Sequence, residues 1–314
     1  MASAISLRDV SPPNLAAPFG TPPFCFTVLT DQRSGSTRMT AVLPMPTLDH
    51  VVVNVRDRID EGLETYQRLG FTMTPRGYHT LGSMNHLAIL GTEYLELIAA
   101  RPGETRRAEI LASPFGLNGL VFGTDDSAAV YAALHAAEVP VEPPLEFSRP
   151  VEITGGARDA TFRTVRLTPG TVPAGRIYFC HHFTRDLVWR DEWRHHANGA
   201  IGVARAVIAA RDPSVLGGLF ARMFGNDAMQ AIQGGCSLAV GLSRFDVLTI
   251  EEVARQFGDV TASGDERDEY MAALTVRTRS LDMAARAIAN GRREADRILV
   301  PASQAFGVTL EFRA

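Results

Sequence analysis

From Leu48 onward the chain alternates short β-branched runs with stretches of helical periodicity. Leu48 to Val55 reads as a buried strand, because a short, continuous Val-rich run suits a strand covered on both faces. After it, Ile59, Leu63, Tyr66 and Leu69 fall on one helical stripe, with Asp57 as the expected cap and Gly70 as the stop. Three extended segments follow, at 71–78, 86–90 and 94–99. The order β-α-β-β-β then returns. Leu117 to Gly123 is a strand and 126–138 an Ala-rich helix, followed by extended segments at 147–154, 161–167 and 176–183. A third copy opens at Ala200–Ala210. Its helix starts at Asp212-Pro213, closes at Gly225, and precedes strands at 236–242 and 245–250. The fourth runs from Ala273–Thr278 through a helix at 281–290 to a last strand at 307–312. The starts at 48, 117, 200 and 273 recur every 70 to 80 residues or so, a repeat of element order rather than of sequence.

This pattern predicts an α+β chain of four βαβββ modules. The expected organisation is a disordered or loosely ordered tail over 1–45, an N-terminal domain over 46–188 and a C-terminal domain over 189–314. The charged, aromatic stretch from Trp189 to Asn198 is the expected linker. Trp189, Arg190, Trp193, Arg194 and His196 are expected at the seam between domains.

Composition narrows the function. A net charge of −4 offers no basic surplus for a phosphate backbone, so nucleic acid is not an expected partner. No apolar run is long enough to span a bilayer, so no membrane is expected either. Cys25, Cys180 and Cys236 form no CxxC pair, which fits a reducing, cytoplasmic setting and argues against thiolate zinc. The expected partner is a small-molecule substrate, and the chain is expected to be a monomer or a homodimer.

Several stretches carry a family resemblance. Leu48-Asp49-His50-Val51-Val52 resembles the opening strand of vicinal oxygen chelate proteins. Residues 77–85 and 91–98 resemble the glyoxalase-like domain branch of that superfamily, as do Cys180-His181-His182-Phe183-Thr184 and His196-Ala197-Asn198-Gly199-Ala200. The resemblance implies that paired modules form open, cupped barrels. It also implies that ligands for a divalent metal come from the first and last strands of each module. In module one those positions are His50 and Glu96. In module two the first-strand position is Gly119, which removes a ligand. Laying Gly175 and Tyr178 over Gly91 and Tyr94 sets Cys180 opposite Glu96, with His182 on the same face by the two-residue strand period. His181 points the other way unless a bulge exchanges them.

The resemblance thus implies His50, Glu96 and His182 as ligands for Fe(II), Mn(II), Ni(II) or Zn(II). His79 or His86 is the candidate acid/base and Arg76 the candidate for orienting an anion. Arg106-Arg107 reads as a solvated face. The C-terminal half has no histidine on its first strands, although extradiol dioxygenases of the superfamily keep their iron there. The expected function is a metal-dependent enzyme, a lyase, isomerase or dioxygenase, acting on a small molecule with vicinal oxygens. The alternatives are a metal-free binding protein of the bleomycin-resistance type and, more weakly, a regulatory module.

Overall fold

A computed structural model describes residues 41–262, 264 and 267–314, and the expectation for residues 1–40 lies outside them. Leu43 is buried, and its N–H donates to Met223 O at 2.9 Å, so the chain joins the core before the first strand.

The four modules are present. The first comprises β1 (Leu48–Asn54), α1 (Ile59–Arg68), β2 (Gly77–Tyr78), β3 (Ser83–Ile89) and β4 (Tyr94–Ala100), and the short α2 (Ala108–Ala112) follows it. The second comprises β5 (Gly116–Gly123), α3 (Ser127–Ala136), β6 (Leu145–Ile153), β7 (Gly156–Arg166) and β8 (Arg176–His182). The third comprises β9 (Ala200–Ala210), α4 (Pro213–Phe224), β10 (Met229–Ile232), β11 (Gly235–Val240), β12 (Ser243–Thr249) and α5 (Ile250–Phe257). The fourth comprises β13 (Glu269–Thr278), α6 (Leu281–Ala287), β14 (Arg292–Arg293), β15 (Ile298–Val300) and β16 (Thr309–Arg313).

Local signals explain most boundaries. Asp126 accepts from Ala128 N and Ala129 N at the start of α3, and Asp212 accepts from Ser214 N before a proline in the first turn of α4. The expected cap of α1 differs: Arg58, not Asp57, stands at the cap position, and no side chain closes it. Gly70 ends that helix at φ +81°, a left-handed backbone that favours glycine.

Modules pair through their first strands. The first sheet has the order β2-β3-β4-β1-β5-β8-β7-β6 and the second β10-β11-β12-β9-β13-β16-β15-β14. At each centre two first strands run antiparallel, β1 with β5 and β9 with β13, and each also pairs in parallel with its own module's last long strand. The free ends of the first sheet nearly meet, because Thr80 N donates to Ser148 O at 2.9 Å just beyond β2 and within β6. The sheet therefore curls into a cup.

Strand period sorts side chains onto two faces. One face, including Val51, Val53, Leu120, Phe122 and Phe179, joins the helices and the second sheet in a core that runs through both halves. Phe122 lies 4.9 Å from Phe224 and 5.5 Å from Phe245 across that boundary. The other face lines the cup with Val52, Leu87, Ile89, Tyr94, Ile98, Phe162 and Tyr178. In the second sheet the equivalent face is covered: Val253, Phe257 and Val260, from α5 and the turn after it, pack on Val207, Ala209, Leu248, Tyr270 and Leu299.

The linker is pinned rather than free. His196 Nδ1 accepts from Thr72 N at 3.0 Å while Nε2 meets Ile89 O at 2.8 Å, and Asn198 Nδ2 donates to Leu69 O. Trp189 instead enters the cup's wall, 5.4 Å from Tyr94 and 4.8 Å from His182.

Candidate functional site

The cup's chemistry begins with an irregularity in β1. Between Leu48 and His50 the pairing with β5 advances by one residue, from Phe122 to Val121. Asp49 is therefore extra, a β-bulge that turns its side chain to the same side as His50. Asp49 Oδ1 lies 2.6 Å from His50 Nδ1 and 2.9 Å from His182 Nε2, with all three groups buried. Burial alone would raise the Asp49 carboxyl, but the charges and hydrogen bonds of His182 and His50 outweigh it and hold it well below the usual range. The carboxylate fixes His50 with Nδ1–H as donor, which leaves Nε2 facing the cup.

Nε2 of His50 meets two groups there: Tyr178 Oη at 3.1 Å and Glu96 Oε2 at 3.7 Å. The Tyr94 ring stacks on the imidazole at 4.4 Å. Glu96 Oε1 accepts from Asn85 Nδ2 at 2.7 Å. The same amide lies 3.3 Å from His79 Nε2, whose Nδ1 lies 2.8 Å from Ser83 Oγ. Burial, together with the charges of Arg149 and Arg107, pushes His79 well below the ordinary histidine value, so it is neutral. Burial likewise raises the Tyr178 hydroxyl well above its ordinary value.

The sheet register corrects one correspondence. β1 pairs Val52 with Glu96, and β5 pairs Val121 with Tyr178. With His50 laid over Gly119, the counterpart of Glu96 is Tyr178, and Cys180 is one step further along. The four positions that the family resemblance implies for ligands therefore hold His50, Glu96, Gly119 and Tyr178. Gly119 has no room for a donor, since a Cβ there would lie 2.9 Å from Val52 Cβ.

The sequence-predicted residues part company accordingly. His50 and Glu96 come together and can reach one small cation. His182 faces inward as the strand period requires, with no register shift between β7 and β8, but it joins Asp49 rather than Glu96. Among the described residues, Asp49, Cys180 and His182 are the histidine, cysteine and acidic group whose ligand atoms all lie within 4.8 Å of one another. His79 lies in the cup. His86 turns to the other face, where Nδ1 meets Thr74 O at 2.8 Å and Arg76 lies beside it, paired with Asp60. His86 and Arg76 are thus separated from the other candidates by β3.

Sequence reasoning missed the arginines. Arg107 is buried, not solvated; it pairs with Glu109 and donates to Ser83 Oγ at 2.9 Å, while Arg106 is exposed. Arg149, Arg166 and Arg176 also line the cup. A wider surface groove of about 850 Å³ near α1 has no histidine or cysteine on its wall among the described residues.

A family model described as "Glyoxalase-like domain" matches residues 48–224. No curated protein matches the chain. Among solved structures, a hypothetical protein from Staphylococcus aureus is 11% identical with a TM-score of 0.62, covering 86% of this chain and 99% of that one. A mutant 4-hydroxymandelate synthase from Streptomyces coelicolor is 12% identical with a TM-score of 0.51, covering 86% and 92%. A fusion of a xylose isomerase-like TIM barrel with 4-hydroxyphenylpyruvate dioxygenase is 13% identical with a TM-score of 0.50, covering 85% and 48%. At such identities the likeness is one of fold. With the family match spanning more than half of the chain and the paired-module cup in place, this chain belongs to the glyoxalase-like domain family of the vicinal oxygen chelate superfamily.

Proposed function

We propose that the protein is a metal-assisted enzyme acting in its N-terminal cup on a small organic molecule with adjacent oxygens. The observation that carries this reading is the convergence of His50 Nε2 and Glu96 Oε2, 3.7 Å apart, with His50 oriented by Asp49. An imidazole and a carboxylate suit Fe(II), Mn(II), Ni(II) or Zn(II). His50 and Glu96 would hold the ion, which supplies Lewis acidity toward a chelating substrate. Two of the similar folds carry the names of a synthase and a dioxygenase, and this agrees with an enzyme.

The chain's own groups do the rest. Asp49 keeps the His50 lone pair directed at the cup. Asn85 holds one Glu96 oxygen and leaves the other free. Tyr178 brings a neutral hydroxyl to within 3.1 Å of His50 and can pass a proton to or from a bound oxygen. Leu87, Ile98, Phe147, Phe162 and Val188 exclude water, which strengthens each of these interactions. Proton transfer of the lyase or isomerase type also needs a base, and neutral His79 is the candidate that faces the cup, whereas oxygen insertion would show itself by dioxygen consumption.

The test is elemental analysis of untagged protein beside a His50→Ala/Glu96→Ala variant. A stoichiometric transition metal that the variant loses is the expected result. Absence of metal from both proteins, even after anaerobic loading with the four ions, defeats the metal assignment. One observation favours a second reading, a metal-free binding cup: Gly119 and Tyr178 occupy two of the four ligand positions. That outcome would support it.

A further inference from the structure

The cup carries more positive charge than its own residues neutralise. Arg149 is 6% exposed, and its guanidinium has no hydrogen-bond or ion-pair partner among the described residues. Arg166 likewise has no ion pair, and Nε and Nη2 of Arg176 are buried without an acceptor. Glu96 is the one carboxylate on the cavity wall among the described residues, and Asn85 already holds it. Arginine does not shed its proton at any ordinary pH, so neutralisation in place is not open to these groups. A buried, unpaired cation costs several kcal/mol and persists where something else compensates it.

Two of these arginines, Arg166 and Arg176, also belong to a partition. Arg107, Arg166, Arg176 and Tyr178 line the inner cup and, from the other side, an open cleft of about 590 Å³ between α2 and the β7–β8 turn. The inner cup is narrow, about 40 Å³ on the same measure, so an entering molecule must push long side chains aside. The partition is built of side chains able to do that: flexible stems ending in groups that an anion attracts.

We propose that the cup takes a small organic dianion of the dicarboxylate class, bound between Arg149 and Arg176, and that the arginine partition is its entrance from the outer cleft. Two carboxylates match the guanidinium groups of Arg149 and Arg176, whereas half-buried Arg166 faces Glu142 across the outer cleft. Planar carboxylates match the guanidinium fork, and the apolar wall of Phe147, Phe162 and Ile98 accommodates the carbon between them. The proposal rests on the cup being the ligand site described above, but not on a metal being present there.

The experiment titrates chelator-treated, metal-free protein with oxalate, malonate and succinate, followed by calorimetry and thermal shift. Acetate, inorganic phosphate and dimethyl malonate are the comparison probes. Saturable binding of at least one dicarboxylate, stronger than acetate and absent for the neutral ester, is the expected result. Arg149→Met should weaken it about 10- to 100-fold, as expected for losing charge-assisted hydrogen bonds. The same variant should melt no lower than the parent without ligand, because it removes an uncompensated buried charge. Arg163→Met, which breaks an exposed pair with Glu146, should leave the affinity unchanged. Equal affinity in Arg149→Met and the parent, binding of phosphate alone, or no saturable binding at all overturns the proposal. If Arg149→Met fails to fold, the order of dianion, monoanion and ester on the parent still decides it. Metal content is measured separately, so loss of the metal assignment leaves this result standing or falling by itself.

Discussion

Gly77→Ala tests how tightly the cup's polar network is locked. Gly77 lies in β2, and its backbone is outside the left-handed region, so alanine brings no conformational strain of its own. The added Cβ would come closer to Asn85 Oδ1 than non-bonded atoms tolerate, and would lie 3.0 Å from Arg149 Cδ. Arg149 has a flexible stem and can give way. Asn85 cannot move without releasing Glu96, whose Oε1 accepts from Nδ2 at 2.7 Å inside a buried wall. Overpacking costs about 1–3 kcal/mol, and loss of a hydrogen bond to a buried charged group about 1.5–3 kcal/mol, so the expected loss is about 2.5–6 kcal/mol. For a domain of this size that lowers the melting midpoint by roughly 5–20 °C. The assay is thermal and denaturant unfolding of Gly77→Ala, Asn85→Ala and the double variant. Removing the Asn85 amide first should leave only the milder contact with Arg149, so the two losses should be strongly non-additive. A Gly77→Ala protein within about 1 kcal/mol of the parent, or equal cost in both backgrounds, would refute the reasoning.

Asp49→Asn keeps the shape but removes the charge between two imidazoles; about 3–5 kcal/mol of stability should go at neutral pH, with loss of any turnover, measured by denaturant titration. Cys180 and Cys236 should resist alkylation at pH about 8 in the native protein and react on unfolding, as peptide mapping would report. Burial raises the Cys180 thiol well above its ordinary value and pushes Cys236 up to about 11, and the thiolate is the reactive form. His79 binds its proton less readily in the folded than in the unfolded chain, so its contribution is present above pH about 6.5 and is lost as pH falls below it. The slope of stability against acid pH should therefore flatten in His79→Asn, although His86 and His196, also lowered by burial, keep part of it. Phe257→Ala should cost about 3–5 kcal/mol by opening a cavity under the second sheet, while leaving ligand binding in the N-terminal cup unchanged in the folded fraction.

The module order was legible because most boundaries carry local chemistry. Asp212-Pro213 and Gly225 bracket α4 by capping rules alone, and β9 was read to the residue from its apolar run. The elements that were missed, α2, α5, β10, β14 and β15, are two to eight residues long, and their shape depends on what they pack against. At the site, the family resemblance placed His50 and Glu96 on the inner face, and the strand period set His182 on the same face as Cys180. The inward turn of Asp49 was not legible, because a bulge is a property of two strands and β5 sets its register. Arg107 and Arg149 were not legible either. Arginine is ordinarily a surface residue, and nothing in a single sequence shows that a cavity lies beneath one.

The two halves share one plan, and the segment after each module's last long strand decides what each cup does. In the C-terminal half β12 runs straight into α5, capped by Thr249 accepting from Glu252 N. That helix carries Val253 and Phe257 onto the concave face, and the charged pair of Arg205 with Asp246, shared with Ser237, Arg244 and Gln256, closes on itself. Among the described residues, these polar groups of the second cup have protein partners. In the N-terminal half the segment after β4 forms only the five residues of α2, which bury Ile110 at the cup's edge and set Arg107 in the partition. The interior stays polar, narrow and short of negative charge. A filled cup of this kind stabilises the fold, whereas one with uncompensated groups is less stable than it could be, a deficit that a bound ligand offsets. The asymmetry between α2 and α5 is therefore the reason to look for chemistry in the first cup and not in the second.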